Sequence, residues 1–341
     1  MRARLGTLVL VLGLVSSFGA ACGKKKSADA DRPPPEVTGL AAVPASAQVL
    51  IAADVTKLSD SALVSRAVDQ LLLRDMQLAT RWADVKDSCK IDLTKQVKRV
   101  MLALGPTPQT QPTGTGPVLM VATGQLVEAD LAACVRTLVG KGGGSLTVKT
   151  VAGRSIYEVK DGNRTMLFAF GRPDTVVLST NEAWLTEALG AGQKAPDAPE
   201  LKALFPLIDQ NAPLWAIGKV DERVRQGLVN ASGGQLKAGP QAIVGTVDPT
   251  DGAKLSLGAV MATADDAKSL ETFANNELKV VAMVAQMKSL GPIVAKVAVQ
   301  AEGTVVRFRA PLSVEDVNQL LSVLDEKPAS EQVTQPPEAP K

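Results

Sequence analysis

The sequence predicts an α+β body: two tandem, pattern-related halves of antiparallel sheet with helices packed on one face. Three observations lead there. Apolar runs of strand length alternate with stretches whose apolar residues recur at helical spacing. Tight Gly-, Asn- and Asp-containing turns join neighbouring strands, as in hairpins. The order strand, helix, strand, strand, helix, hairpin, helix occurs twice. The 341 residues suffice for two ordinary domains. With 45% hydrophobic but only 3% aromatic residues, the core must be built from Ala, Val and Leu.

In the first half, residues 41–192, the run Val49 to Val55 reads as a strand ending on Asp54. Asp60 or Ser61 caps a helix carrying Leu63, Val64, Val68, Leu71 and Leu72 at helical spacing. A second helix runs from about Arg74 to Asp87, with Cys89 in the turn after it. The strands Val100–Leu104 and Pro117–Thr123 flank a Pro/Gly/Thr loop at 105–116. The helix Glu128–Val139 places Leu131, Cys134, Val135 and Leu138 on one face. From Leu146 to Thr180 the pattern is of strands, with a hairpin signal at Lys160-Asp161-Gly162-Asn163. Thr180 or Asn181 caps a helix through Leu189, and Gly190 ends it.

Residues 190–199 are Gly, Ala, Pro and polar, and mark the boundary. The second half, residues 198–325, opens with one or two helical turns and then the strand Leu214–Val220, ending on Asp221. The helix Glu222–Val229 follows, then strands at Gln241–Val247 and Lys254–Thr263. Asp265-Asp266 opens a long helix whose apolar stripe is Leu270, Phe273, Ala274, Leu278, Val281 and Val284. A hairpin turns about Glu302-Gly303. Val297, Val299, Val306 and Phe308 form its buried face, and Lys296, Gln300, Arg307 and Arg309 its wet face. Ser313 caps the last helix, Val314–Leu324. Residues 326–341 are Pro-rich and polar and read as disordered.

The N-terminus carries the most specific signal. Arg2 and Arg4 precede an apolar run, Leu5–Val15, of signal-peptide length. Gly19, Ala20 and Ala21 are small, and Cys22 follows, then Gly23-Lys24-Lys25-Lys26. This resembles the lipobox of bacterial lipoproteins, which implies cleavage after residue 21, diacylation of the Cys22 thiol and, often, acylation of the new amine. It departs from that pattern at Gly19, where an aliphatic residue is usual. Gly19-x-Ala21 also satisfies the small-x-small rule of an ordinary secretory peptidase, which would leave Cys22 unmodified, and an uncleaved anchor is a third reading. Residues 22–40, with Pro33-Pro34-Pro35, read as a tether. Two or three acyl chains hold a protein at a membrane where one does not. Lipidation of Cys22 would leave Cys89 and Cys134 as an even pair in an oxidising compartment, which predicts a disulfide between them, against two separate buried thiols. The order of elements over residues 43–325 resembles exported bacterial proteins of unknown function, a resemblance that brings no active residues.

Composition narrows the chemistry. Removing residues 1–21 removes two arginines and no acid, leaving 35 basic against 35 acidic residues. That balance provides no field for nucleic acid. There is no histidine, which excludes His-based acid–base and nucleophilic sites and most zinc sites. The paired carboxylates Asp248/Asp251 and Asp265/Asp266 read as a turn and a helix N-terminus, and Asp54 and Asp221 as helix caps. Gly140 to Ser145 lacks the spacing and strand-first order of a phosphate loop. Trp82, Trp184, Trp215 and Tyr157 are too scattered for a stacking platform and read as core.

The sequence therefore predicts no catalytic residue, no metal and no cofactor. The expectation is a non-enzymatic lipoprotein, held by its N-terminal lipid at the outer membrane and facing the periplasm, that binds or scaffolds another envelope component. The alternative is a periplasmic carrier of an apolar ligand. No ligand-binding residue stands out.

Overall fold

Among the described residues twelve strands pair antiparallel into one sheet. The computed structural model describes residues 35–325 except 90, 109, 112–115, 152 and 288. The readings at Cys22, the tether before residue 35 and the tail 326–341 lie outside the described residues.

The chain enters through a 3₁₀ turn, Gly39–Ala42, and forms β1 (Val49–Asp54). Asp54 Oδ1 accepts from the Lys57 N–H at 3.2 Å and caps α1 (Val55–Ser59). Ser61 caps α2 (Ala62–Arg74) by accepting from the Val64 N–H at 3.3 Å. Then come α3 (Met76–Cys89), the turn α4 (Leu93–Gln96), β2 (Val97–Leu104) and β3 (Val118–Gly124). Helix α5 (Glu128–Lys141) leads to four strands: β4 (Ser145–Val151), β5 (Arg154–Asp161), β6 (Arg164–Arg172) and β7 (Thr175–Ser179). The β5–β6 loop is Gly162-Asn163, and Gly162 takes φ +57°, the left-handed geometry such two-residue loops need.

Helix α6 (Glu182–Leu189), capped by Asn181, precedes a short α7 (Pro199–Lys202) and the 3₁₀ turn Phe205–Leu207. The second run of elements is β8 (Leu214–Lys219), α8 (Glu222–Ala231), β9 (Ala242–Asp248), β10 (Ala253–Val260), α9 (Ala264–Met287), α10 (Gly291–Val294), β11 (Ala298–Glu302), β12 (Val305–Leu312) and α11 (Val314–Asp325).

Across the sheet the strand order is β11-β12-β10-β9-β8-β1-β2-β3-β7-β6-β5-β4. The seam between the halves is β1 against β8, with Leu50 opposite Ile217 and Ala52 opposite Trp215. The expected segments 41–192 and 198–325 thus share one sheet. At the expected boundary Ala195 is buried and its N–H donates to the Val43 carbonyl at 2.9 Å, so the connection is packed down. Ser61 Oγ ties α2 across the seam by donating to the Pro249 carbonyl at 2.7 Å.

Helices cover parts of both faces, not one alone. On the first face Leu50, Ala103, Leu119, Ile217 and Val244 lie in one core with Trp184, Leu185, Ala188 and Leu189 of α6 and Leu201 of α7. The Trp184 Nε1–H donates to Ser46 Oγ at 2.8 Å, which satisfies its buried donor. On the second face α5 packs through Ala132 on Phe168, Phe170 and Val176, where Tyr157 stacks on Phe168 at 4.6 Å between ring centroids. At the other end α9, α10 and α11 pack through Ala267, Ile293 and Val317 on β10 and β12.

Four local expectations change. Cys89 ends α3 instead of following it. Trp82 is 37% exposed, not core, because it lines an open groove between α2 and α3. The α9 stripe departs from the covered line of the helix, which runs from Ala267 through half-buried Leu278 and Ala282 to Ala285: Val281 and Val284 are 48% and 53% exposed. Arg307 is not wet. Its side chain is 15% exposed and its Nη2 donates to the Leu207 carbonyl at 2.8 Å, under the 3₁₀ turn.

Candidate functional site

The residues singled out in the sequence settle mostly into structural roles. Cys89 and Cys134 lie at disulfide distance, Sγ–Sγ 2.08 Å, and join the end of α3 to the middle of α5. Asp221 Oδ1 accepts from the Arg223 N–H at 2.8 Å at the start of α8. Asp248 accepts from the Thr250 N–H and hydroxyl within its turn. Asp266 accepts from the Thr263 hydroxyl at 2.7 Å as α9 begins. Among the described residues no group of three His, Cys, Asp or Glu side chains could hold a metal ion, and no helix is long and apolar enough to cross a membrane.

Two surfaces at the centre of the sheet remain, one on each face. The central strands are apolar on both sides, as Val49-Leu50-Ile51-Ala52-Ala53 in β1 illustrates. Such strands belong to sheets covered twice. On the second face that cover stops short. Between the helices at either end, Ile51 of β1, Leu102 of β2 and Met120 of β3 are only half-buried, and so is Ala216 of β8. Beside them Ile243 and Leu257 are 41% and 47% exposed. The registers place Met120, Leu102, Ile51 and Ala216 in one row across four strands, continued by Gly245 and Leu257. Gly245 keeps this row low: a Cβ there would come within 2.7 Å of Leu257 Cδ2.

On the first face a cleft of about 800 Å³ opens where the cover of α6 and α7 ends. Its floor is Ala52, Met101, Val121 and Trp215, one side chain from each of four adjacent strands. The 3₁₀ turn Gly39–Ala42 and the segment Gln210–Ala212 form walls. Four cations edge it: Lys57 from α1, Lys98 and Arg99 from the irregular start of β2, and Arg172 from the end of β6.

Among the described residues two carboxylates, Asp54 and Asp174, share the cleft with these four cations. Arg172 grips Asp174 with two bonds, Nε to Oδ1 at 2.7 Å and Nη2 to Oδ2 at 2.6 Å. That pair, with a bond from the Thr175 hydroxyl, lowers the Asp174 pKa to about 2. Arg99 Nε lies 3.7 Å from Asp54 Oδ2. The Lys57 Nζ donates to the Asn211 carbonyl at 2.6 Å, so its charge is held in place without being neutralised. The surplus of positive charge was invisible in the sequence because its members come from three separate segments.

The family models contain no match to this chain, and no curated protein matches its sequence. Among solved structures, crystal form I of TP0453 is similar with a TM-score of 0.44 and 11% sequence identity. The match covers 84% of this chain and 98% of that one.

Proposed function

We propose that this protein is a lipid-anchored envelope protein, held at the membrane through Cys22, whose body acts by binding another envelope protein and not by catalysis. The observation that carries the reading is the uncovered apolar row on the second face. Contiguous exposed apolar surface on a folded chain marks an interaction site more often than it occurs idly. A row of half-buried aliphatic side chains across the centre of a sheet, with Ile243 and Leu257 standing out from it, offers the apolar middle that protein interfaces need.

The anchor supports the same reading. A tethered body searches for its partners in a thin layer beside the membrane, which raises their effective concentration. The outer membrane, facing the periplasm, is the location this proposal assumes.

The test places a photoreactive amino acid at Leu257 and, as a control, at Arg136 on exposed α5, in intact cells. A discrete protein adduct at Leu257, missing at Arg136 and lost when Ile243→Asp is added, is the expected result. No adduct above the control would overturn the reading. An adduct of twice the chain's own mass would replace the partner with a second copy. Intact-mass analysis of the purified protein tests the anchor: acyl chains on Cys22 are expected, and a bare Cys22 sinks that part of the proposal.

A further inference from the structure

We propose that the cleft on the first face binds an amphiphilic anion, a carboxylate or phosphate head on a single alkyl chain. This goes beyond the partner-binding reading, and it uses the opposite face of the sheet. Size comes first: about 800 Å³ falls within the range of small-molecule sites, roughly 300–1,000 Å³.

Chemistry then separates the cleft into two parts. The floor is aliphatic where Ala52, Met101 and Val121 meet. Trp215 beside them is buried, and Phe205 packs against its ring edge-on at 6.1 Å. It therefore presents no open face on which a nucleobase could stack, whereas an alkyl chain needs only apolar contact. The rim is cationic. Asp174 engages Arg172 through both oxygens, and Asp54 is shared between the cap of α1 and Arg99. Lys57 and Lys98 line the cleft, and among the described residues neither has a carboxylate within ion-pair distance. An anion there would gain charge-assisted hydrogen bonds from two ammonium groups whose positions a helix and a strand start define. A neutral or cationic head would gain nothing from the rim, and a bare anion would leave the floor in water.

Orientation follows from the same placement. Lys57 stands in α1, directly after β1, and Lys98 at the start of β2, whereas the floor residues Ala52 and Met101 pack against the core further along the same strands. The head would sit at the mouth, with the first part of the chain lying along β1, β2 and β3.

The experiment labels the full-length protein in its own membranes with diazirine-bearing alkyl phosphate and alkyl carboxylate probes, and maps the modified peptides. Labelling is expected on peptides that contain Met101, Val121 or Trp215. Excess dodecyl phosphate should compete, and inorganic phosphate should not. Lys57→Glu with Lys98→Glu should reduce the label there about tenfold, equivalent to about 1.4 kcal/mol. Lys57→Arg with Lys98→Arg should retain it. Both lysines are exposed, so the fold of each variant can be checked by circular dichroism. Whichever head labels better identifies the natural source as a fatty acid or a phospholipid derivative. Equal labelling by an alkyl trimethylammonium probe would overturn the proposal. So would competition by inorganic phosphate, or labelling confined to the exposed helices. The photocrosslinks at Leu257 report on the other face, so either result can fail alone.

Discussion

Asp174 condenses the electrostatics of the first-face cleft into one titration. Its folded pKa of about 2 lies below the unfolded value of 3.8. The group therefore adds stability that is fully present above the unfolded value and is lost as pH falls through the folded one. Half of its side chain is in water, so screening limits the contribution to under about 1 kcal/mol. Urea unfolding of Asp174→Asn should show a deficit near neutral pH that shrinks as acid approaches pH 2. A deficit constant with pH would mean that the lost bonds, not the charge, matter. Residues of this kind differ in how legible they are. The cap at Asp54 could be read directly, and those at Ser61 and Asn181 to within one residue, because a cap is a local feature a few residues long. Lys194 could not. Its Nζ reaches back to donate to the Glu187 and Ala188 carbonyls at 2.6 and 2.8 Å, closing the end of α6, and burial pushes its pKa down. Nothing in the surrounding Gly-Ala-Gly-Gln sequence signals a buried lysine.

Elements read well where they obey one period and less well where length matters. The strands β1, β3, β8 and β9 lie within about two residues of their expected bounds, because apolar runs bounded by turns are strong signals. The pairing of Cys89 with Cys134 was likewise anticipated from an even count, and α3 and α5 bring the two Cα atoms to 5.0 Å. The α9 stripe misled because the larger Val281 and Val284 draw the apolar line to one side, whereas the face that packs at that end carries the small Ala282 and Ala285. The consequence is measurable. Val284→Lys should change stability by less than about 0.5 kcal/mol, as at an ordinary surface position. Leu270→Ala, packed near Ala267 and Val306, should cost about 2 kcal/mol or more. Equal costs at the two positions would show that Val284 is covered in solution.

At the scale of the whole molecule the sequence divided the chain where the sheet does not. Two runs of similar elements predict two bodies, yet only pairing energies between distant strands decide whether they merge. Here the β1–β8 seam merges them, with Leu50 and Ile217 both fully buried. The clefts were illegible for the same reason: they arise where separate segments fail to cover a shared sheet. The seam predicts that residues 35–192 alone will not give a well-behaved monomer. That fragment would expose β1 as an edge, apolar on both faces and without charge until Asp54. Size-exclusion chromatography of the fragment should show aggregates, and a stable monomer would argue that the first half is self-sufficient.

The same seam sets a schedule for folding. Strand β1 is among the first of the described elements to be made, and its partner β8 follows only after six further strands and seven α-helices have appeared. Until then the early half holds an open edge. Pairings between such distant segments form slowly, so the interval before β8 arrives is when this chain would depend on a chaperone to keep β1 unpaired.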